Sequence, residues 1–288
     1  MKRLLFILIL ALMLAGCTVQ EPADIVATTK PVYDFTAFLC QRTDLKIAQL
    51  ITENVSCLHD YSLSISQARS LEAAQTVIIS GAGLEDFMED LLADCDKTID
   101  ASFKVPLLEC SEHHEHDHAH NHEHEADSHI WLAPDNAQQM ASNICEGLCK
   151  TYPEYADIFN ENLTALTEKF EALQTYAAKN LSALSCRELI TFHDGFGYMA
   201  HAFDLEIAAA MEEESGSEAS AKELIELIGL VEEHNIPAIF VETNGSTSAS
   251  GIIAAETGVK VFALDMGMSG DYFEIMYHNI DTLKEALG

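Results

Sequence analysis

The chain has 288 residues, 48% of them hydrophobic, which is enough for two domains with buried cores. Its 47 acidic and 15 basic residues leave a formal net charge of −32. Such a field repels phosphate backbones and attracts cations, so nucleic acid is excluded as a partner.

Lys2 and Arg3 precede the apolar run LLFILILALML, and Leu14-Ala15-Gly16-Cys17 follows it. A charged start, a short apolar middle and small residues before a cut make residues 1–16 a secretory signal, and the run is too short for an ordinary membrane span. The Leu-Ala-Gly-Cys ending resembles a lipobox, in which Cys17 is acylated and becomes the new N-terminus. This predicts an extracytoplasmic protein held by a lipid at the cell membrane, on the cell surface or in the periplasm, with a mature net charge near −34 from 13 basic and 47 acidic residues.

Strands and helices then alternate. Residues 24–29 read as a buried strand, and Pro31 opens a helix whose Val32, Phe35, Phe38 and Leu39 share one face. Residues 46–51 form a second strand and 53–63 a loop. Ser64 or Ser66 caps a helix running to Ala74, residues 76–79 are a third strand, and Ser80-Gly-Ala-Gly83 turns into a helix over 84–93. A short strand over 97–101 closes the first half.

After a histidine-rich stretch, residues 135–151 are helical and Pro153 starts a long helix to about Leu184. In it Phe159, Leu163, Leu166, Phe170, Leu173 and Ala177 recur at spacings of three and four. The second half repeats the alternation. Strands are predicted over 188–192, 205–210, 238–241 and 260–264, and helices after His193-Asp-Gly-Phe-Gly-Tyr198, over 219–234, over 248–257 (stopped by Gly258) and over 269–287.

The predicted fold is therefore α/β: two lobes, each a parallel sheet flanked by helices, joined by one long rigid helix. The N-terminal lobe spans 17–134 with a His-rich loop at 112–126, the linking helices span 135–185, and the C-terminal lobe spans 186–288.

Eight of the thirteen histidines fall between Ser111 and Pro134. His113, His114, His116, His118, His120, His122 and His124 alternate with acidic residues in a run with no apolar residue except Ala119. Such a run cannot build a core, and imidazole beside carboxylate is a divalent-metal ligand set, so it reads as a mobile auxiliary loop that binds metal weakly. Asp127-Ser-His129-Ile-Trp-Leu132-Ala-Pro134 then turns apolar around the only Trp, and His129 reads as a fixed ligand.

Three further residues stand at or beyond predicted strand ends, where parallel sheets present ligands: His59, His193 and Asp265. With His129 they make two residues from each lobe, and three imidazoles with one carboxylate suit zinc in the cleft between the lobes. Glu53, Asp60 and Asp194 are candidate acceptors for the second ring nitrogens of these histidines.

Seven cysteines follow Cys17, an odd number without a CxxC pair. Cys145 and Cys149 read as small buried hydrophobes, and Cys57 as a structural thiol close to His59.

The sequence also resembles a known family, the metal-specific solute-binding proteins of ABC transporters, in particular the zinc-binding lipoproteins. The segments CLHDYSLSISQARSLEAAQTVIISGAGLEDFMEDL, DSHIWLAP, ITFHDGFGYMAHAFDLE, FVETNGSTSASGIIAAETGVKVFALD and DYFEIMYHNIDTLKEAL carry the resemblance over nearly the whole mature chain. It departs from the family pattern at Ser128, Ala133 and the residues before His59.

The resemblance maps metal ligands onto His59, His129, His193 and Asp265. It implies Zn2+ as transported ligand, with Mn2+ second because manganese-binding relatives carry an acidic residue at the His193 position. It implies a monomer served by a separate permease and its ATPase, and a non-enzyme. The rival readings are a zinc hydrolase and a passive surface zinc buffer or adhesin. The hydrolase lacks an HExxH or similar signature and nothing singles out Glu242 or Glu256 as its base; the buffer has no use for His59, His193 and Asp265 on separate strands.

Overall fold

Short β-branched and apolar runs, each followed by an amphipathic stretch, set up both lobes. The computed structural model describes residues 23–53, 58, 61–92, 96–108, 127–211 and 219–288. In the first lobe β1 (Ile25–Ala27) leads into α1 (Lys30–Leu39), with Pro31 in its first turn, and then into β2 (Ile47–Gln49). The next helix, α2 (Ile65–Ala73), begins with a capping box in which Ser64 and Gln67 satisfy each other's backbone N–H. After it come β3 (Thr76–Ile79), the one-turn α3 (Glu89–Leu92) and β4 (Thr98–Asp100).

The four strands are parallel in the order β2-β1-β3-β4. The sheet therefore changes winding direction between β1 and β3, the place where such sheets open a crevice at their carboxyl ends.

Two helices join the lobes. α4 (Pro134–Thr151) packs along α5 (Ala156–Leu181), whose 26 residues span about 39 Å. The sequence predicted a longer spine, from Pro153 to about Leu184. Instead residues 153–155 close a tighter turn through Tyr155 N donating to the Tyr152 carbonyl, and the far end stops where the Arg187 guanidinium takes the Leu181 carbonyl. Phe159, Leu166, Phe170, Leu173 and Ala177 form its buried stripe.

The second lobe repeats the first. Its elements are β5 (Glu188–Thr191), α6 (Gly197–Ala202), β6 (Glu206–Ala210), α7 (Ala221–His234), β7 (Ala238–Glu242), α8 (Ser248–Thr257), β8 (Lys260–Leu264) and α9 (Tyr272–Leu287). The parallel order β6-β5-β7-β8 has the same winding as the first sheet, with its own reversal between β5 and β7. Ser220 and Glu223 cap α7 reciprocally, and Gly258 ends α8 at φ 77°, a left-handed conformation in which glycine meets no steric penalty. The predicted start of the last helix at Ser269 moves to Tyr272, because Asp271 accepts from the Phe273 and Glu274 amides and so fixes the cap there.

The helix predicted over 84–93 does not form as one unit. Gly81, Ala82 and Gly83 are all left-handed, at φ 78°, 55° and 83°. The chain then closes i to i+3 turns: Leu84 N to Gly81 O, Asp86 N to Gly83 O and Met88 N to Glu85 O. Glu85, which would lie in the first turn of such a helix, instead turns its carboxylate back onto the Ser80 and Gly81 amides.

One hydrophobic core runs through both lobes, from Ile25 and Val77 of the first sheet through Phe35, Phe170 and Met276 to Phe240 and Leu264 of the second. A smaller core, with Ile190, Ile239, Leu227 and Val231, fills the other face of the second sheet beneath α7 and α8. Polar ties cross between the lobes as well. Trp131 Nε1 donates to the Met266 carbonyl (2.6 Å), Tyr272 OH to the Trp131 carbonyl (2.8 Å), Tyr272 N to Asp34 (3.1 Å), and Leu108 N to Tyr198 OH (2.9 Å). A continuous core with buried struts opposes a wide hinge motion. Among the described residues no helix is long and apolar enough to cross a membrane.

Candidate metal centre

His129 is carried by the first lobe and precedes the helical turn Ile130–Leu132, which is fully buried. That turn cannot rotate, because Trp131 is 1% exposed and bonded at both its indole N–H and its carbonyl to the second lobe. The imidazole is oriented by Asp127. One carboxylate oxygen, Oδ1, accepts both the His129 amide and His129 Nδ1, each at 2.9 Å. A carboxylate on Nδ1 keeps the proton there and leaves Nε2 with its lone pair outward.

His193 comes from the second lobe, two residues beyond β5. The two imidazoles meet edge to face with centroids 5.2 Å apart, and the two Nε2 atoms are 3.5 Å apart. Two nitrogens bound at about 2.0–2.1 Å to one tetrahedral cation lie about 3.3 Å from each other, so this spacing fits two ligands of one ion. The same spacing serves a hydrogen bond when His193 carries its proton on Nε2, and a cation replaces that proton.

Gly195 makes this approach possible. A Cβ at that position would lie 2.5 Å from Met266 Cε, 2.7 Å from His193 Cδ2 and 2.9 Å from His129 Cε1. The imidazoles thus rest against bare backbone. Beside them Leu58, Leu84, Trp131, Met266 and Met268 line a cavity of about 10 Å³, room for about one water-sized particle. The His129 ring also lines it, so a polar imidazole faces apolar and thioether side chains across the cavity.

Asp265 follows β8 directly. Its carboxylate accepts the Gly267 amide through Oδ1 (2.7 Å) and the Ser269 hydroxyl through Oδ2 (3.3 Å), while Asn279 spans its backbone N–H and carbonyl. Among the described residues no three His, Cys, Asp or Glu side chains have the mutual spacing to hold a metal ion. The structure thus brings His129 and His193 together and leaves Asp265 engaged with its own turn. His59 and the auxiliary histidines from His113 to His124 lie outside the described residues, as do Cys17, Cys57 and Asp60. The stretch bearing the auxiliary histidines leaves and re-enters the described fold at one point, where Asp127 N donates to the Leu108 carbonyl at 3.2 Å.

Two carboxylates matter here that sequence reasoning passed over or misplaced. Asp127 holds the second nitrogen of His129; Glu53 is exposed and accepts from Tyr61 OH (2.9 Å) and Thr52 N. The signal for Asp127 was its place two residues before His129, within reach of both ring and amide. The other is Glu242, 6% exposed at the end of β7. Burial raises its pKa to about 7, with a lowering influence from His129 and a raising one from Asp265. Glu256 is exposed on α8.

Cys40 and Cys145 are buried free thiols whose pKa values are pushed up to about 12, by burial and, for Cys145, also by Cys149. A thiol held so firmly protonated is neither a nucleophile nor a ready metal ligand, in keeping with a packing role.

The chain matches the family model described as the periplasmic zinc-uptake complex component A over residues 25–286. It is 30% identical over 296 residues to the zinc-binding lipoprotein AdcA of Streptococcus pneumoniae (strain TIGR4), covering 96% of this chain and 59% of that protein. The chain therefore spans little more than half the length of that relative. It superposes on the crystal structure of ZnuA with a TM-score of 0.81 and 28% identity, covering 93% of this chain and all of that one. On the Zn(II)-bound ZnuA-like domain of Streptococcus pneumoniae AdcA the TM-score is 0.79 at 27% identity, covering 92% and 99% of the two chains.

Proposed function

Because the chain belongs to the family of periplasmic zinc-uptake component A proteins, we propose that it captures Zn2+ outside the cytoplasm and delivers it to an ABC permease driven by a separate ATPase. The observation that carries this reading is the pair of opposed imidazoles, His129 and His193, 3.5 Å apart across the lobes with His129 fixed by Asp127. His59 and Asp265 complete the ligand set in this reading, Asp265 by exchanging its Gly267 and Ser269 partners for the ion. Three imidazoles and one carboxylate favour zinc over the harder manganese ion, and the auxiliary histidines of residues 112–126 raise the local zinc concentration.

In the same reading residues 1–16 are cleaved and Cys17 carries the lipid anchor. The lobe of residues 17–134 and the lobe of residues 186–288 close on the ion about the linking segment 135–185. The protein acts as a monomer and performs no catalysis; its chemistry is coordination and release.

The test is competitive metal titration of the purified mature protein with zinc, manganese and nickel, on wild type and on His59→Ala, His129→Ala, His193→Ala and Asp265→Ala. Each histidine variant removes one of about four metal–ligand bonds and is expected to lose tight zinc binding; Asp265→Ala loses less, because water replaces a carboxylate oxygen. Wild-type zinc affinity in any of the three histidine variants would remove that residue from the centre.

A further inference from the structure

Glu242 stands at the middle of the centre's floor. The register of the second sheet pairs Thr191 of β5 with Phe240 of β7, and the ladder continues through Phe192 N donating to the Phe240 carbonyl at 2.9 Å. β5 ends at Thr191, and two residues further on the chain carries His193 to the same end of the sheet at which Glu242 closes β7. On its other flank Glu242 pairs with Leu264, and Asp265 is the next residue of that chain segment. Glu242 thus sits at the winding reversal of the second sheet, at the same sheet end as His193 and Asp265, and close enough to His129 and Asp265 to interact with both electrostatically.

Its surroundings give it little else to do. Among the described residues no hydrogen bond to its carboxylate occurs, although the side chain is 6% exposed. Its oxygens are not sealed off, since among the described residues the fully enclosed side-chain oxygens without a partner are Thr98 Oγ1 and Thr191 Oγ1, but a carboxylate in so little exposed a residue is better accommodated when a positive charge comes near it. Neutral imidazole ligands bring no charge, so Asp265 alone leaves a divalent ion with one uncompensated positive charge. A second carboxylate cancels it.

We propose that Glu242 is a positioning residue of the metal centre that compensates the charge of a divalent cation from beneath the ligands, without being a ligand itself. This rests on the metal-capture reading above. It makes affinity depend on the charge of the bound ion as well as on ligand type.

Glu242→Gln keeps shape and removes charge; Glu242→Asp keeps charge and shortens the arm. Zn2+ affinity by calorimetry and Co2+ binding followed by its visible absorption test the idea, with His193→Ala alongside. Glu242→Gln is expected to weaken both metals about tenfold or more while leaving the position of the Co2+ bands unchanged. Its metal-free melting temperature should be unchanged or higher, because no hydrogen bond to the side chain is lost, and Glu242→Asp should recover most of the affinity. Wild-type metal affinity in Glu242→Gln overturns the proposal, as does a shift of the Co2+ bands, which would make Glu242 a ligand. A fall in metal-free stability that accounts for the lost affinity also overturns it, since Glu242 would then be purely structural. If His193→Ala also binds zinc as wild type does, the capture reading itself fails; if only Glu242→Gln does, that reading stands and this inference falls.

Discussion

Glu85 offers a stability prediction whose sign and size follow from the structure. Its side chain is in a residue 4% exposed, and its carboxylate accepts the Thr28 hydroxyl (2.5 Å) and Ser80 N (2.8 Å) at Oε1 and Gly81 N (2.9 Å) at Oε2. Burial outweighs these donors and raises its pKa from 4.5 to about 7. A carboxyl whose folded pKa lies above its unfolded value binds more protons in the folded state between those two values. Stability therefore falls as pH rises through that window, from about 4.5 to about 7, and levels off above it. Between pH 5 and pH 8 the loss from this one residue amounts to about 2.5 kcal/mol.

Glu85→Gln removes the titration but brings an NH2 group against at least one of the three donors, at a pH-independent cost of about 1–3 kcal/mol. Urea unfolding of both proteins in chelator from pH 5 to pH 8 isolates the effect. Glu242, with its pKa also raised to about 7 by burial, titrates alike in both and cancels. The wild type should be clearly the more stable protein at pH 5, and its advantage should shrink by about 2.5 kcal/mol by pH 8. A gap that stays constant refutes the reasoning. A gap that widens with pH would show that the three donors outweigh burial and that Glu85 is ionised throughout.

Asp127→Asn keeps an acceptor for His129 Nδ1 but removes its charge, and zinc affinity should drop about tenfold by calorimetry, the usual scale for such partners; undiminished affinity would show that Trp131 packing alone orients the ring. Zinc should produce only a small change in radius of gyration, because the core is continuous and Trp131 and Tyr272 strut the lobes; small-angle scattering that shows a large contraction would contradict this. Deleting residues 112–126 should remove a weak class of zinc sites and spare the tight one, since the flanking backbone is already joined at Leu108 and Asp127. Protons compete for imidazole, so at pH 5.5 the full-length protein should lose the weak class while holding the tight site. Equal stoichiometry in the two proteins at pH 7.5 would mean that the loop does not collect metal.

The sequence by itself determined the elements and the fold class, because the signals for both are local. Val77 and Ile78 after a capped helix, the apolar stripe from Phe159 to Ala177, and Gly258 after Thr257 each act within a few residues, and strand–helix alternation leaves a parallel sheet in each lobe. It also singled out His129 and His193, one by its place beside the lone Trp and the other by its place beyond a strand. Local pattern failed at residues 84–92, where the helical period was present but a buried Glu85 pulled its carboxylate back onto the preceding turn. Only the tertiary structure decided how the histidines face each other, that Asp127 rather than Glu53 orients His129, and that Glu242 lies at the same sheet end as His193 and Asp265. His129 and His193 are 64 residues apart and their Nε2 atoms 3.5 Å apart. Nothing within a strand encodes which neighbour it will pair with, so the environment of β7's last residue exists only once β5 and β8 have closed around it, and burial there turns an ordinary glutamate into one that holds its proton near neutral pH.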